Sequence, residues 1–147
     1  MSSLRFLAAA PKSRSALGKK LLEKGYGPGV VQATLDELER QGILNDRAYA
    51  ENVAARKAQG SLAGRRMIRF ELKRRGIPAK IQEEVLLNLS PGDEAVRARE
   101  LARQRRPRLK NLDPAKRKKK LYDLLLRRGF EYETIREVVA EIEGESE

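Results

Sequence analysis

Arg65, Arg69 and Lys73 stand four residues apart, with Arg66, Arg74 and Arg75 around them. On an α-helix, positions i, i+4 and i+8 form one row, so these cations would repeat about every 6 Å along a line. The chemistry open to such a row is charge-assisted recognition of phosphates or carboxylates. Catalysis has little to draw on. The chain contains no His and no Cys, which removes the commonest general base, every His-dependent triad, and imidazole or thiolate metal ligands. The pairs Glu83-Glu84 and Asp93-Glu94 are adjacent in sequence, and neighbours on a helix point about 100° apart rather than converging on a substrate. These residues predict a binding protein without enzymatic activity, metal or cofactor.

The placement of charge sharpens that expectation. Residues 97–128 hold 14 basic and 3 acidic side chains, which accounts for the whole formal net charge of +11. Arg97, Arg103, Arg105 and Arg106 on one segment, and Lys116, Lys118 and Lys119 on the next, are further candidates for partner or DNA binding. Residues 56–80 carry nine basic side chains against Glu71 alone, and from residue 131 onward seven Glu face one Arg. Stripes of this size predict a polyanionic or acidic partner, against the alternative of a merely solubilising surface. The 147 residues are 40% apolar and 36% charged, with few aromatics. That composition suits a thin core spread over several small helical units. Without an apolar run of eighteen residues or a signal-peptide pattern, the expected setting is the cytoplasm, and the absence of Cys agrees with a reducing compartment.

The elements that must position these cations follow from a repeat. Read as a helix, residues 64–77 (GRRMIRFELKRRGI) place Met67, Ile68, Glu71 and Leu72 on one arc and Arg65, Arg66, Arg69 and Lys73 on the opposite side. Gly76 supplies a left-handed stop, and Ile77 can fold back onto the last turn. The same pattern closes at Gly25 and Gly129, 51 residues before and 53 after. Leu17, Ile68 and Leu121 stand eight residues before these glycines, and Leu21, Leu72 and Leu125 four before. Lys24, Arg75 and Arg128 precede them directly, and Tyr26, Ile77 and Phe130 follow. Leu35 and Leu38, Leu86 and Leu89, Val139 and Ile142 recur ten and thirteen residues after. A period of this length predicts an all-α protein of three tandem three-helix repeats, spanning 1–43, 44–89 and 90–147, in an elongated, curved array.

In chain order, the pattern predicts a short helix over residues 3–10, then a helix capped by Ser13 and closed by Gly25. The next starts at Pro28 and stops at Gly42. Asn45 or Asp46 caps a helix that turns Tyr49 and Val53 inward and ends at Gly60. A loop with Ser61 as a potential cap leads into the basic helix, followed by a helix over 78–89. Ser90-Pro91 opens the arginine-rich helix, which stops at Pro107 before a basic linker. Asp113-Pro114 opens the lysine-rich helix, and an acidic helix over 132–143 ends the chain.

With those residues in place, the chain resembles the RecX family, regulators of the RecA recombinase. The resemblance lies in GILNDRAYAENVAARKAQG followed by GRRMIRFELKRRGIPAKIQEEVL, with looser matches in RSALGKKLLEKGY and LYDLLLRRGFEYETIREVV. It departs in a short N-terminal helix and in Asn45, where the family usually has an acid. The resemblance implies a non-enzymatic cytoplasmic protein that lies in the groove of the RecA–DNA filament. There it would lower ATP hydrolysis and strand exchange and limit filament growth. It would have the RecA filament and, weakly and without sequence preference, DNA as partners, and would itself be a monomer with no membrane or small-molecule partner. The competing expectation is a helical protein that binds nucleic acid directly and acts without RecA. Its basic helices carry almost no Asn, Gln or Ser beside Arg and Lys, so they would grip phosphate and read little sequence.

Overall fold

The computed structural model describes residues 12–89 and 91–145, the side chains of Pro91 and Gly92 excepted. Eight α-helices and no strand occur among them: α1 (Arg14–Glu23), α2 (Pro28–Arg40), α3 (Asp46–Ala55), α4 (Arg65–Arg74), α5 (Ala79–Leu87), α6 (Pro91–Arg105), α7 (Pro114–Arg127) and α8 (Tyr132–Gly144). The expected helix over 3–10 and the cap at Ser90 lie outside the described residues. The chain divides into two compact units, one of Met1–Val53 with Glu71–Val85 and the other of Ala54–Phe70 with Leu86–Glu147.

The three aligned glycines end α1, α4 and α7 in the same way. Gly25, Gly76 and Gly129 have φ of 95°, 80° and 86°. After each, the next amide reaches back over the last turn: Tyr26 N to Leu21 O, Ile77 N to Leu72 O and Phe130 N to Leu125 O, at 3.1–3.2 Å. This is the six-to-one bond that closes a helix through a left-handed residue. Ile77 and Phe130 are buried, but Tyr26 is exposed. Leu89 and Tyr49, also expected inside, are only half-buried.

In the first unit, α1 packs on α2, and Leu17, Leu21, Val31, Leu35, Leu38 and Leu44 form one cluster. Ser13 caps α1 by accepting the Ala16 N–H, and its hydroxyl donates to Arg75 O at 2.5 Å. Asn45 caps α3 by accepting the Ala48 N–H, while Asp46 accepts the Arg14 N–H at 2.7 Å. Asn at position 45 therefore does the work expected of an acid there, and Asp46 ties the start of α1 to the start of α3.

In the second unit, α8 packs against α6 and α7 around Leu101, Leu121, Leu125, Phe130, Ile135, Val138 and Ile142. Asp113 caps α7 through the Lys116 N–H. The helical run that starts at Asp46 ends at Gly60 as expected, although its last turn, Arg56–Gly60, is π-helical. One helix end differs from expectation: α6 runs on into a 3₁₀ turn, Arg106–Leu109, that carries Pro107 instead of stopping there. Pro at the start of a turn loses no hydrogen bond, because that N–H would have no partner within the turn.

Candidate functional site

Helix α4 is held at its two ends by different means. At its start, in the second unit, Gly64 N donates to Arg128 O at 2.8 Å and Arg66 N to Gly129 O at 3.0 Å. The Arg65 N–H is capped by the Glu94 carboxylate at 3.1 Å, the role expected of Ser61. Gly64 and Gly129 approach so closely that a Cβ on Gly64 would lie 2.5 Å from Phe130 N. At its far end, in the first unit, Gly76 sits against Ser15, and Ile77 is buried. Along the helix Ile68 and Leu72 are fully buried. Side chains on the opposite side of α4 therefore project from a fixed base.

Those side chains are not the row that four-residue spacing suggests. Arg65 is half-buried, with its guanidinium donating to Leu89 O and lying 3.8 Å from Glu94. Glu94 is only 3% exposed. Arg65 thus belongs to the anchor of α4 and leaves the exposed set. Arg97 leaves it too: the residue is 8% exposed and donates to Ala63 O at 3.0 Å. Burial pulls its pKa below the usual guanidinium value, with Glu94 and Asp93 opposing. Arg66, Arg69, Lys73 and Arg74 are exposed. Arg74 and Arg75 both pair with Glu71, at 2.5 and 2.8 Å, and Arg75 also donates to Tyr49 Oη at 2.7 Å. The side chains of Arg66 and Lys73 have no hydrogen bond or ion pair among the described residues.

Glu71 was expected on the buried arc and is there, 7% exposed. Hydrogen bonding from Arg74, more than from Arg75, lowers its pKa to about 2, against the opposing effect of burial. Because the folded pKa is depressed, the stabilisation is fully present above the ordinary carboxylate range and is lost as pH falls through about 2. Glu71→Gln should lower stability by about 1–3 kcal/mol at neutral pH, discounted for the exposed Arg74. Paired thermal melts of wild type and variant should show that gap closing between about pH 4.5 and 2.

The arginine-rich helix is more neutralised than its sequence suggests. Arg99 pairs with Glu141 of α8 at 2.7 Å, and Arg103 with Glu145, the residue that follows α8, at 2.5 Å. Arg105 lines an open depression with Leu109, Lys120, Asp123, Leu126 and Arg127, and Arg106 is half-buried. On α7, Lys116, Lys118 and Lys119 are exposed as expected, whereas the intervening Arg117 pairs with Glu143 at 2.9 Å. Phe70 is the residue the charge pattern passed over. It is 65% exposed on α4. The signal was available, since a position two residues from both Ile68 and Leu72 faces away from them.

No group of His, Cys, Asp or Glu among the described residues could hold a metal, and no helix there is long and apolar enough to cross a membrane. The geometry defines an all-helical protein of short packed helices that presents fixed cations. Three family models match in series: RecX first three-helix domain at residues 2–38, second at 45–86 and third at 93–139. The regulatory protein RecX of Chlorobaculum tepidum is 35% identical over 143 residues, 97% of this chain and 87% of that protein. The protein of the same name from Mycobacterium leprae is 33% identical over 146 residues, 98% of this chain and 85% of that one. The crystal structure of RecX from Lactobacillus salivarius shares the fold, with a TM-score of 0.88 at 22% identity, covering 95% of this chain and 91% of that one. The chain belongs to the RecX family of regulatory proteins.

Proposed function

We propose that this protein binds the filament that RecA recombinase forms on DNA and restrains it, lowering ATP hydrolysis and strand exchange and limiting filament growth. The observation that carries this reading is the exposed side of α4. Arg66 and Lys73 stand there without side-chain partners among the described residues, on a helix whose opposite side is buried. Fixed, unpaired cations lose little conformational freedom on docking and fit the phosphates and carboxylates of such a filament. The working units are the repeats 1–43, 44–89 and 90–147, with the second supplying the main contact. The protein acts in the cytoplasm as a monomer, by binding alone. Co-sedimentation tests the reading: the protein should pellet with RecA–single-stranded DNA–ATP filaments and much less with free RecA. Equal retention on naked DNA and on filaments would overturn it.

The lysines of α7 support a second, weaker activity. Lys116, Lys118 and Lys119 are exposed along one helix, which suits loose binding to duplex DNA without sequence preference. If about four to six phosphates are engaged, log K should fall with log salt at a slope of about −4 to −5. Anisotropy titrations across a salt series check this, and a slope near zero would remove DNA from the list of partners.

A further inference from the structure

Helix α4 carries a large apolar side chain where a solvated charged face would have none. Phe70 is 65% exposed. Arg66 precedes it by four residues and Lys73 follows by three, so the three share one stripe of a continuous helix, the ring between two cations that have no side-chain partner among the described residues. The only acid of the helix, Glu71, is buried. The stripe therefore offers an aromatic face and positive charge, with no exposed acceptor of its own.

We propose that Phe70 is a stacking platform for a base of single-stranded nucleic acid, whose flanking phosphates are held by Arg66 and Lys73. An aromatic side chain between cations is the arrangement that grips a single strand without reading its sequence: the charges follow the backbone, and every base has a face to stack. Duplex DNA fits less well, because its bases are already stacked on each other. Charge complementarity favours a phosphate strand over an apolar protein groove, which would leave Arg66 and Lys73 unpaired. The inference uses the same exposed side of α4 as the reading above but does not need the recombinase.

The test uses the free full-length protein. It has no Trp, so Phe70→Trp places a single reporter at the site. Its fluorescence should be quenched by oligothymidine and much less by an abasic strand of equal length. In anisotropy titrations the wild type should bind oligothymidine about tenfold more tightly than the abasic strand, within the range for one base on one aromatic ring. Phe70→Leu should erase that preference while leaving abasic binding unchanged, and circular dichroism should show its helices intact. An unquenched Trp, or a Leu variant that keeps the preference, would overturn the inference. A Trp that responds to RecA alone and to no oligonucleotide would overturn it in favour of a protein groove. The filament reading would survive either failure if wild-type protein still slowed ATP hydrolysis by RecA.

Discussion

Gly129→Ala should destabilise the protein far more than Gly25→Ala, although both replace the same glycine of the repeat. Each has positive φ, and forcing Ala into that conformation costs about 1–2 kcal/mol. At Gly25 that is the whole cost, because a Cβ there meets nothing within 4 Å. At Gly76 a Cβ would come 2.9 Å from Ser15 Cβ, a side chain that can give way only slightly. At Gly129 it would strike the backbone of Met67 and lie 2.6 Å from Met67 Cβ. The start of α4 would have to move, breaking the bonds from Gly64 N to Arg128 O and from Arg66 N to Gly129 O. With each buried bond worth about 1 kcal/mol and the steric cost added, the total is about 4 kcal/mol or more. Thermal melts should rank the variants Gly25→Ala, Gly76→Ala, Gly129→Ala in order of increasing loss. Equal shifts would mean that the close approach of α4 to the end of α7 does not matter to stability.

Reversing Arg66 and Lys73 should weaken filament binding by about 10²–10⁴-fold. Each reversal removes a charge-assisted bond of about 1.5–3 kcal/mol and puts a carboxylate against an anion. The matched control is Lys118→Glu with Lys119→Glu, which changes net charge equally. It should lower affinity for naked duplex DNA while changing filament binding by less than about tenfold. Arg65 is unsuitable for this test, because its reversal would set two carboxylates together at the buried Glu94. Equal losses from both double variants would mean that filament binding follows total positive charge and that α4 has no special place in it.

Much of this architecture could be read from the sequence. The three glycines with apolar residues four and eight positions before them led to the helix ends, because local hydrogen bonding decides those. Asn45 and Asp113 likewise proved to be real caps. Charge was read less well, because pairing is decided by residues distant in the chain. The excess over 97–128 is partly neutralised by the acidic end of the chain: Glu141 and Glu143 of α8, and Glu145 just beyond it, pair with Arg99, Arg117 and Arg103. Arg65 and Arg97 looked like surface cations because nothing local shows that Glu94 and Ala63 O await them inside. Tyr26 shows the reverse error: it occupies the position of Ile77 and Phe130 yet stays exposed.

The most direct measurement is the rate of ATP hydrolysis by RecA on single-stranded DNA as this protein is added. The proposed function predicts that the rate falls with added protein to a plateau. The Lys118→Glu, Lys119→Glu variant should retain that effect, and the Arg66→Glu, Lys73→Glu variant should lose it with its helices intact by circular dichroism. A hydrolysis rate that stays constant while the wild-type protein is demonstrably bound to the same DNA would contradict the account.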